Sequence, residues 1–168
     1  MAILPHPDDS TKTAIACAAI AVSDTRTPKT DKSGTLIRSL VEAAGHRVVH
    51  YQIVKDEPAQ INMLIQDLAA HPDIQAVLLS GGTGIAMRDT TYDVVVRLLE
   101  KELPGFGEIF RQLSYAEIGS RAIASRAVAG VYARTLIFSM PGSSKAVELA
   151  MKSLILPELA HLSRLVDA

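Results

Sequence analysis

The sequence predicts a three-layer α/β domain, an αβα sandwich in which helices cover both faces of a mainly parallel sheet. Short strand-like runs alternate with stretches whose apolar residues recur at helical spacing, the pattern of successive βαβ units. The runs at 14–22 and 74–79 are almost continuously apolar, as expected of parallel strands buried on both faces. The length of 168 residues is that of one ordinary domain, so these units are expected to share a single sheet.

Each element has its own signal in the chain. Strands are predicted where aliphatic, β-branched and aromatic residues concentrate, at 14–22, 46–54, 74–79 and 135–140. Helical spacing predicts helices around 36–44, 58–68, 94–99 and 147–166, with a mostly helical stretch from a break at 104–107 to about residue 129. Gly45 is expected to end the first helix, Pro58 to begin the second and Pro157 to kink or restart the last.

The composition excludes several classes of protein. Hydrophobic residues make up 48% of the chain and the net charge is −1, which argues against disorder and gives no reason to expect nucleic acid or an anionic membrane as partner. The apolar run at 14–22 is far shorter than the ~20 residues that span a bilayer. Residues 1–12 are polar with two prolines, and we predict a flexible arm ahead of one domain at 13–168.

The cysteine usage indicates a reducing environment. Cys17 is the one cysteine, so the chain can form neither an intramolecular disulfide nor a cysteine-based zinc site. Its small apolar neighbours indicate a buried side chain. A chain of this kind fits the cytoplasm, which is the predicted location.

Candidate ligand-binding loops follow four predicted strands. Ligands of open α/β sheets bind outside the carboxyl ends of the strands. The loops concerned contain Ser23-Asp24, Lys55-Asp56-Glu57, the segment 81–89 and the segment 141–144. We therefore expect these four segments to meet at one edge of the sheet.

Two of these loops suit phosphate groups. The turn Ser80-Gly81-Gly82-Thr83-Gly84 lets the backbone approach a ligand, and successive N–H groups in such a turn can bind phosphate oxygens. An ordinary strand-to-helix turn explains the same glycines. Pro141-Gly142-Ser143-Ser144 is likewise either an anion site or a simple helix N-cap.

Asp89 and Asp56 raise the question of a metal. A carboxylate beside bound phosphates is repulsive unless a cation lies between them, and Mg²⁺ held by one or two carboxylates and substrate phosphates would resolve this. The alternatives are a helix N-cap for Asp56 and a solvated loop charge for Asp89. The five histidines show no metal-ligand spacing. No side-chain nucleophile paired with a base is apparent, and this absence fits direct phosphoryl or nucleotidyl transfer.

Further motifs complete a pattern that spans about 13–165. They are Val22-Ser-Asp24, Arg88-Asp89-Thr-Thr91, Leu103-Pro-Gly-Phe-Gly-Glu108, Leu113-Ser-Tyr-Ala-Glu-Ile-Gly119, Ser125-Arg-Ala-Val-Ala-Gly130 and Met140-Pro-Gly-Ser143. Together with the glycine turn they resemble the MoaB/Mog family of molybdenum-cofactor biosynthesis proteins. The motifs at 113–119 and 125–130 point to the MoaB branch.

The resemblance implies an activity and a site. It implies Mg²⁺-dependent adenylylation of molybdopterin by ATP with release of pyrophosphate, with Asp56 and Asp89 as the functional aspartates and Mg²⁺ ligands. Phosphate- or pterin-binding residues are then expected among Ser23, Asp24, Ser80, Gly81, Gly82, Thr83, Gly84, Arg88, Thr91, Glu108, Ser125, Pro141, Gly142, Ser143 and Ser144. A homotrimer or homohexamer is implied, with other molybdenum-cofactor enzymes as possible partners.

The chain departs from the family pattern after the glycine turn. Met87 and Tyr92 stand where the family often has prolines, which bears on the geometry of the loop and on the binding role of Asp93. Two other functions remain open on the residues alone. One is a non-catalytic molybdopterin-binding or scaffold protein, and the other is a nucleotide pyrophosphatase.

Overall fold

A six-stranded sheet forms the middle layer of the domain. The computed structural model describes residues 13–168, so the arm predicted at 1–12 lies outside the described residues. The strands are β1 (Ala16–Val22), β2 (Arg47–Val54), β3 (Ala76–Ser80), β4 (Lys101–Glu102), β5 (Val128–Tyr132) and β6 (Thr135–Met140). Their order in the sheet is β2-β1-β3-β6-β5-β4. The first four in this order run parallel, whereas β5 is antiparallel to both of its neighbours.

Helices cover both faces of the sheet, which confirms the predicted sandwich. They are α1 (Lys32–Ala43), α2 (Pro58–Ala70), α3 (Thr91–Leu98), α4 (Pro104–Ile118), α5 (Ser144–Ala150) and α6 (Leu156–Asp167). A 3₁₀ segment at Gly119–Ala124 follows α4, and a π-helical segment at Met151–Ile155 joins α5 to α6. Helices α2 and α3 pack on one face of the sheet, and α1, α4, α5 and α6 pack on the other.

Strand β1 shows why the sheet is buried on both sides. Its residues alternate between the two cores: Cys17 and Ala19 face α1, whereas Ala18 and Ile20 face α2. All seven residues of the strand are buried.

The predicted helix ends are confirmed. Gly45, just after α1, has a φ of +84°, Pro58 begins α2, and Pro157 lies at the start of α6.

The helical stretch predicted up to residue 129 is wrong beyond residue 124. The structure has strand β5 there, paired with β6 through the two-residue turn Ala133-Arg134. Both turn residues have positive φ, 46° and 64°, as a tight hairpin turn of the type I′ class requires. Neither is the glycine or asparagine that marks such turns, so the hairpin has no local signal in the sequence. The two-residue strand β4 at the sheet edge was also not predicted.

The lone thiol lies in the centre of this fold. Cys17 has no exposed surface, and burial raises the pKa of its thiol to about 12. At the start of the same strand, the Nδ1 atom of His46 accepts a hydrogen bond from the Ile15 N–H at 3.1 Å, and burial lowers the pKa of that imidazole.

Within residues 13–168, none of the helices combines the length and the apolar character needed to cross a bilayer.

Candidate active site

The loops after β1, β3 and β6 meet at the carboxyl edge of the sheet, as predicted. The Gly81 N–H donates to the Met140 carbonyl at 3.0 Å. Gly81 has a φ of +104°, and a Cβ atom there would lie 2.4 Å from the Val22 carbonyl oxygen. A Cβ atom on Gly142 would lie 3.2 Å from the Gly81 Cα atom. A side chain at Gly81 would therefore clash with the backbone of β1, and one at Gly142 would be tightly crowded.

A polar cavity of about 170 Å³ opens beside this junction. It is lined by Val22, Ser23, Asp24, Thr25, Asp56, Gly82, Arg88 and Asp89. Five of the predicted site residues from three different loops therefore share one cavity with the glycine turn. Three carboxylates and one guanidinium line it, so the local charge is negative.

The Asp56 carboxylate is bound by Thr90, in the loop between β3 and α3, and does not cap the helix α2 that follows it. Its Oδ1 atom accepts hydrogen bonds from the Thr90 N–H at 3.1 Å and the Thr90 hydroxyl at 2.6 Å. Its own N–H donates to the Asp24 Oδ1 atom at 3.0 Å. The N-cap of α2 is Glu57, with no side-chain capping bond, so the helix-cap interpretation of Asp56 is wrong. The second oxygen, Oδ2, points to the glycine turn, 2.6 Å from where a Cβ atom on Gly82 would lie.

Asp89 is also folded against the glycine turn. Its Oδ2 atom accepts a hydrogen bond from the Ala86 N–H at 3.0 Å and would lie 2.6 Å from a Cβ atom on Gly84. No donor among residues 13–168 is bonded to its Oδ1 atom. The side chain is half-buried and shapes the loop, so it is not simply a solvated charge. The neighbouring Arg88 is exposed at the cavity rim.

The glycine turn has a buried side and an open side. Gly82 has a φ of +67°, and a Cβ atom there would lie 2.1 Å from the Thr91 Oγ1 atom. Thr91 is wholly buried, and its hydroxyl has no partner among the described residues. The Ser80 and Thr83 side chains are buried as well. In contrast, the backbone N–H groups of 82–84 have no acceptor in the described chain, so they are available to a ligand.

The segment 141–144 forms the N-cap of α5, and the anion site considered for it stays a prediction. The Ser143 hydroxyl accepts a hydrogen bond from the Ala146 N–H at 3.2 Å, which is an N-cap of α5. The hydroxyl is therefore engaged in capping. Within residues 13–168, the backbone N–H groups of 142–144 have no acceptor and the exposed Ser144 hydroxyl has no partner, so both are open to an anion.

Two predicted residues lie apart from the cavity. Glu108 is exposed on α4, and its side chain makes no hydrogen bond or ion pair with any described residue. Ser125 lines a separate cavity of about 240 Å³ between α4 and β5, and its buried hydroxyl has no partner in the described part of the chain. The structure does not bring these two side chains to the carboxylates.

A buried network that we did not predict holds the loop after β1. Asp31 is 2% exposed, and its carboxylate accepts hydrogen bonds from the Gly34 N–H at 2.9 Å, the Ser33 hydroxyl at 3.1 Å and the Tyr51 hydroxyl at 2.6 Å. Burial, the hydrogen bond to Asp31 and the charge of Asp31 raise the pKa of Tyr51 to about 12. The signal for Asp31 was present in the sequence, because aspartate just before a helix is a common N-cap.

Arg26 connects this network to the segment 141–144. Its guanidinium donates to the Ser33 hydroxyl at 2.5 Å and to the Gly142 carbonyl at 3.1 Å, and it lies 3.6 Å from the Asp31 carboxylate. The Ser33 hydroxyl is 3.3 Å from the Ser80 hydroxyl at the end of β3. The ends of three strands are thus joined through polar side chains below the cavity.

Arg126 is a further residue with a role at the site that was not predicted from the sequence. It stands beside Ser125 in a motif noted above, yet its side chain reaches the loop that carries Asp89. Its guanidinium donates to the Gly84 carbonyl at 2.7 and 2.9 Å and to the Asp89 carbonyl at 3.0 Å. It also donates to both oxygens of Asp93 at 3.2 Å and stacks on Tyr92, 4.8 Å from the ring centre.

The donor set at the cavity is compatible with Mg²⁺. Free oxygens of Asp56 and Asp89 are hard ligands of the kind that this ion takes. No three His, Cys, Asp or Glu side chains of residues 13–168 are grouped so as to hold a metal. A cation here would therefore need further oxygens from a bound ligand or from water.

Comparison with known proteins defines the class of this domain. The sequence profile of the family described as a probable molybdopterin binding domain matches residues 18–161. The chain belongs to this family. It is 56% identical over 165 residues to molybdenum cofactor biosynthesis protein B of Halalkalibacterium halodurans, a match that covers 98% of the chain and 96% of that protein.

Solved structures agree with this assignment and with the MoaB branch. A crystal structure of molybdenum cofactor biosynthesis protein B superposes with a TM-score of 0.91 at 48% identity, covering 94% of this chain and 98% of that one. The tungsten cofactor synthesizing protein MoaB from Pyrococcus furiosus gives 0.81 at 33% identity, with coverage of 94% and 100%. The resemblance inferred from the motifs is confirmed, as is the mainly parallel αβα fold.

Proposed function

We propose that this protein acts in molybdenum cofactor biosynthesis by adenylylating molybdopterin. A phosphate oxygen of molybdopterin attacks the α-phosphorus of ATP, the bond from that phosphorus to the β-phosphate oxygen breaks, and pyrophosphate leaves. The product is adenylyl-molybdopterin, joined through a new phosphoanhydride. The family and its named relatives support the pathway, and the site geometry supports the reaction.

The observation that carries the proposal is the placement of Asp56 and Asp89. Each carboxylate lies against a glycine of the same turn, and both line the same cavity. With Asp24 also there and one arginine at the rim, a triphosphate would meet net negative charge. Mg²⁺, when bound, would offset the charge of the phosphates and so favour attack at the α-phosphorus.

The side chains have distinct parts in this proposal. The free Oδ2 atom of Asp56 and Oδ1 atom of Asp89 would hold Mg²⁺. The hydrogen bonds from Thr90 and Ala86 to the other oxygens fix the two carboxylates before a ligand arrives. Such prior ordering lowers the cost of reaching the reactive geometry.

Phosphate groups would bind to main-chain donors. The available N–H groups lie in 82–84 and 142–144, next to each other at the carboxyl edge. Arg88, which is exposed at the rim, would contact a second phosphate. No strong base is required, because a phosphate monoester is largely ionised at neutral pH. Positioning and charge compensation therefore suffice for catalysis.

One incubation separates this proposal from its alternatives. The protein is mixed with ATP, MgCl₂ and molybdopterin, and the products are separated by chromatography. Adenylylated pterin with release of pyrophosphate supports the proposal. Bound but unchanged pterin would support a binding or scaffold protein, and ATP hydrolysis independent of pterin would support a pyrophosphatase.

A matched pair of variants makes the assay specific to the cavity. Asp89→Ala removes a cavity carboxylate, whereas Asp67→Ala removes an exposed carboxylate on α2. Adenylylation is expected to be lost in the first variant and kept in the second. Equal loss in both would point to a contaminating activity or to general damage.

We also propose a homo-oligomer, either a trimer or a hexamer. Large apolar side chains are exposed along α4 and the following 3₁₀ segment: Ile109, Tyr115, Ile118 and Ile123. Exposed apolar surface of this kind is typical of protein interfaces. Light scattering of the purified protein should give three or six times the 18.0 kDa chain mass, and a stable monomer would contradict the proposal.

A further inference from the structure

The loop between β3 and α3, residues 81–90, has little support of its own. Its tip is exposed, with Ile85 at 76% and Met87 at 98% of their full accessibility. Beyond Gly81, the Thr91 and Val94 N–H groups at the start of α3 donate to the Gly82 and Thr90 carbonyls, and side chains tie the loop to more distant parts of the described chain at two places. One is the bond from Thr90 to Asp56, and the other is Arg126.

Arg126 holds this loop by its carbonyl groups. Its side chain binds the carbonyls of Gly84 and Asp89, and its own N–H donates to the Thr83 carbonyl at 3.3 Å. The planar guanidinium thus bridges the two ends of the exposed tip. A side chain with one charged nitrogen could not make all these contacts at once.

Tyr92 and Asp93 hold the guanidinium in turn. Tyr92 lies under its plane at 4.8 Å, and Asp93 binds the remaining nitrogen through both oxygens at 3.2 Å. Tyr92 is one of the two departures from the family pattern. In this chain the aromatic ring provides a contact for Arg126 that a proline would not, since proline has no aromatic face. Asp93 is engaged with Arg126 and does not line the cavity.

We infer that Arg126 is a positioning residue that sets the place of Asp89 by clamping the carbonyls of Gly84 and Asp89. This rests on the proposed function for its effect on turnover, but the clamp itself is a structural property. Arg126 does not line the cavity that contains the carboxylates, so it acts through the loop. Tyr92 and Asp93 form the support for the clamp.

Hydrogen exchange tests the clamp without reference to activity. In Arg126→Ala, backbone exchange across 84–91 should be faster than in the wild-type protein, while exchange in β1 and β3 should be unchanged. Arg111→Ala is the matched control, because that guanidinium also donates to a backbone carbonyl, Ala127, but makes no hydrogen bond to the loop. Unchanged exchange across 84–91 in Arg126→Ala would overturn the inference.

Turnover then tests whether the clamp matters for Asp89. Loss of a group that orients a metal ligand commonly costs roughly 10–100-fold in metal affinity or activity. We expect a loss of that size in turnover, with a higher Mg²⁺ concentration needed for half-maximal rate. Metal-free molybdopterin binding, followed by pterin fluorescence, should remain at the wild-type level.

Two further measurements separate positioning from general damage. Guanidinium chloride, added well below denaturing concentrations, should partly restore turnover in Arg126→Ala, whereas NaCl of equal ionic strength should not. Turnover of Arg126→Lys should stay low, because lysine keeps the positive charge but lacks the several N–H donors of the planar guanidinium. Faster exchange with normal turnover and normal Mg²⁺ dependence would overturn the inference. If the wild-type protein does not adenylylate molybdopterin, the proposed function fails, and the exchange result still decides whether the clamp exists.

Discussion

The loops after β1 and β3 border the same cavity but are held in different ways. The first loop, 23–31, ends on the buried Asp31, whose carboxylate joins α1, β2 and Arg26. The second loop, 81–90, has an exposed tip held by Arg126 from outside. A buried polar network stabilises the fold, whereas an exposed loop with few anchors can open locally at lower free energy. Changes in the first loop should therefore affect stability, and changes in the second should affect the reaction.

The largest effect is expected for the carboxylates at the cavity. Asp89→Ala should lower turnover with Mg²⁺ and ATP by about 10²–10³, the cost of losing one preorganised charge-stabilising group. Asp56→Ala should lower turnover by a similar factor. The double variant should lose much less turnover than the product of the two single-variant losses, because both carboxylates hold one ion. Steady-state kinetics measures these losses.

Binding and stability provide the controls for that series. Metal-free molybdopterin affinity should change little in Asp89→Ala, and the free energy of unfolding should fall by no more than about 1 kcal/mol, the usual net worth of the one hydrogen bond that is lost. Turnover at the wild-type rate would remove the metal role of Asp89. The second loop would then have no part in the reaction, and the expected difference between the two loops would be wrong.

Asp31→Ala should instead unfold the protein more easily. The change removes the N-cap of α1 and leaves the Tyr51 and Ser33 hydroxyls without their acceptor. We expect a loss of roughly 2–4 kcal/mol in the free energy of unfolding, measured by denaturant titration. A midpoint equal to that of Asp89→Ala would mean that the two loops do not differ in this way.

A smaller effect concerns Tyr51 at high pH. Burial and Asp31 raise the pKa of Tyr51 from 10.0 to about 12, so the folded state keeps the phenol proton that the unfolded state releases. Its contribution to stability is complete below pH 10.0 and is lost as the pH rises to about 12. Tyr51→Phe should remove this part of the pH dependence.

The measurement for Tyr51 is a difference between two titrations. Cys17, whose pKa is also raised to about 12, adds a loss of stability in the same range for both proteins. The free energy of unfolding of Tyr51→Phe should therefore fall less steeply with pH than that of the wild-type protein. Parallel curves would show that the Tyr51–Asp31 hydrogen bond contributes no pH dependence.

The sequence predicted the elements whose signals are local. The four parallel strands were predicted from runs of aliphatic, β-branched and aromatic residues, and the start of α2 and the end of α1 from Pro58 and Gly45. The convergence of the strand-end loops followed from topology alone. Strand β5 was missed because Ala133 and Arg134 adopt a turn that their residue types do not indicate.

The two arginines were missed for a different reason. Arg26 binds the Gly142 carbonyl 116 residues away, and Arg126 binds the Gly84 carbonyl 42 residues away. A backbone carbonyl is present at every position, so such an acceptor leaves no mark in the sequence. The side chains chosen in advance were those with recognisable chemistry of their own, and their roles in binding stay predictions.

The buried thiol of Cys17 makes β1 a natural reporter of opening motions. A thiol reagent reaches this sulfur only when the sheet separates from its helices, because the side chain is fully covered and the pKa of about 12 keeps it protonated. The rate of labelling therefore reports how readily the central strand becomes exposed. Since Cys17 is the one cysteine of the chain, all of the labelling comes from this strand.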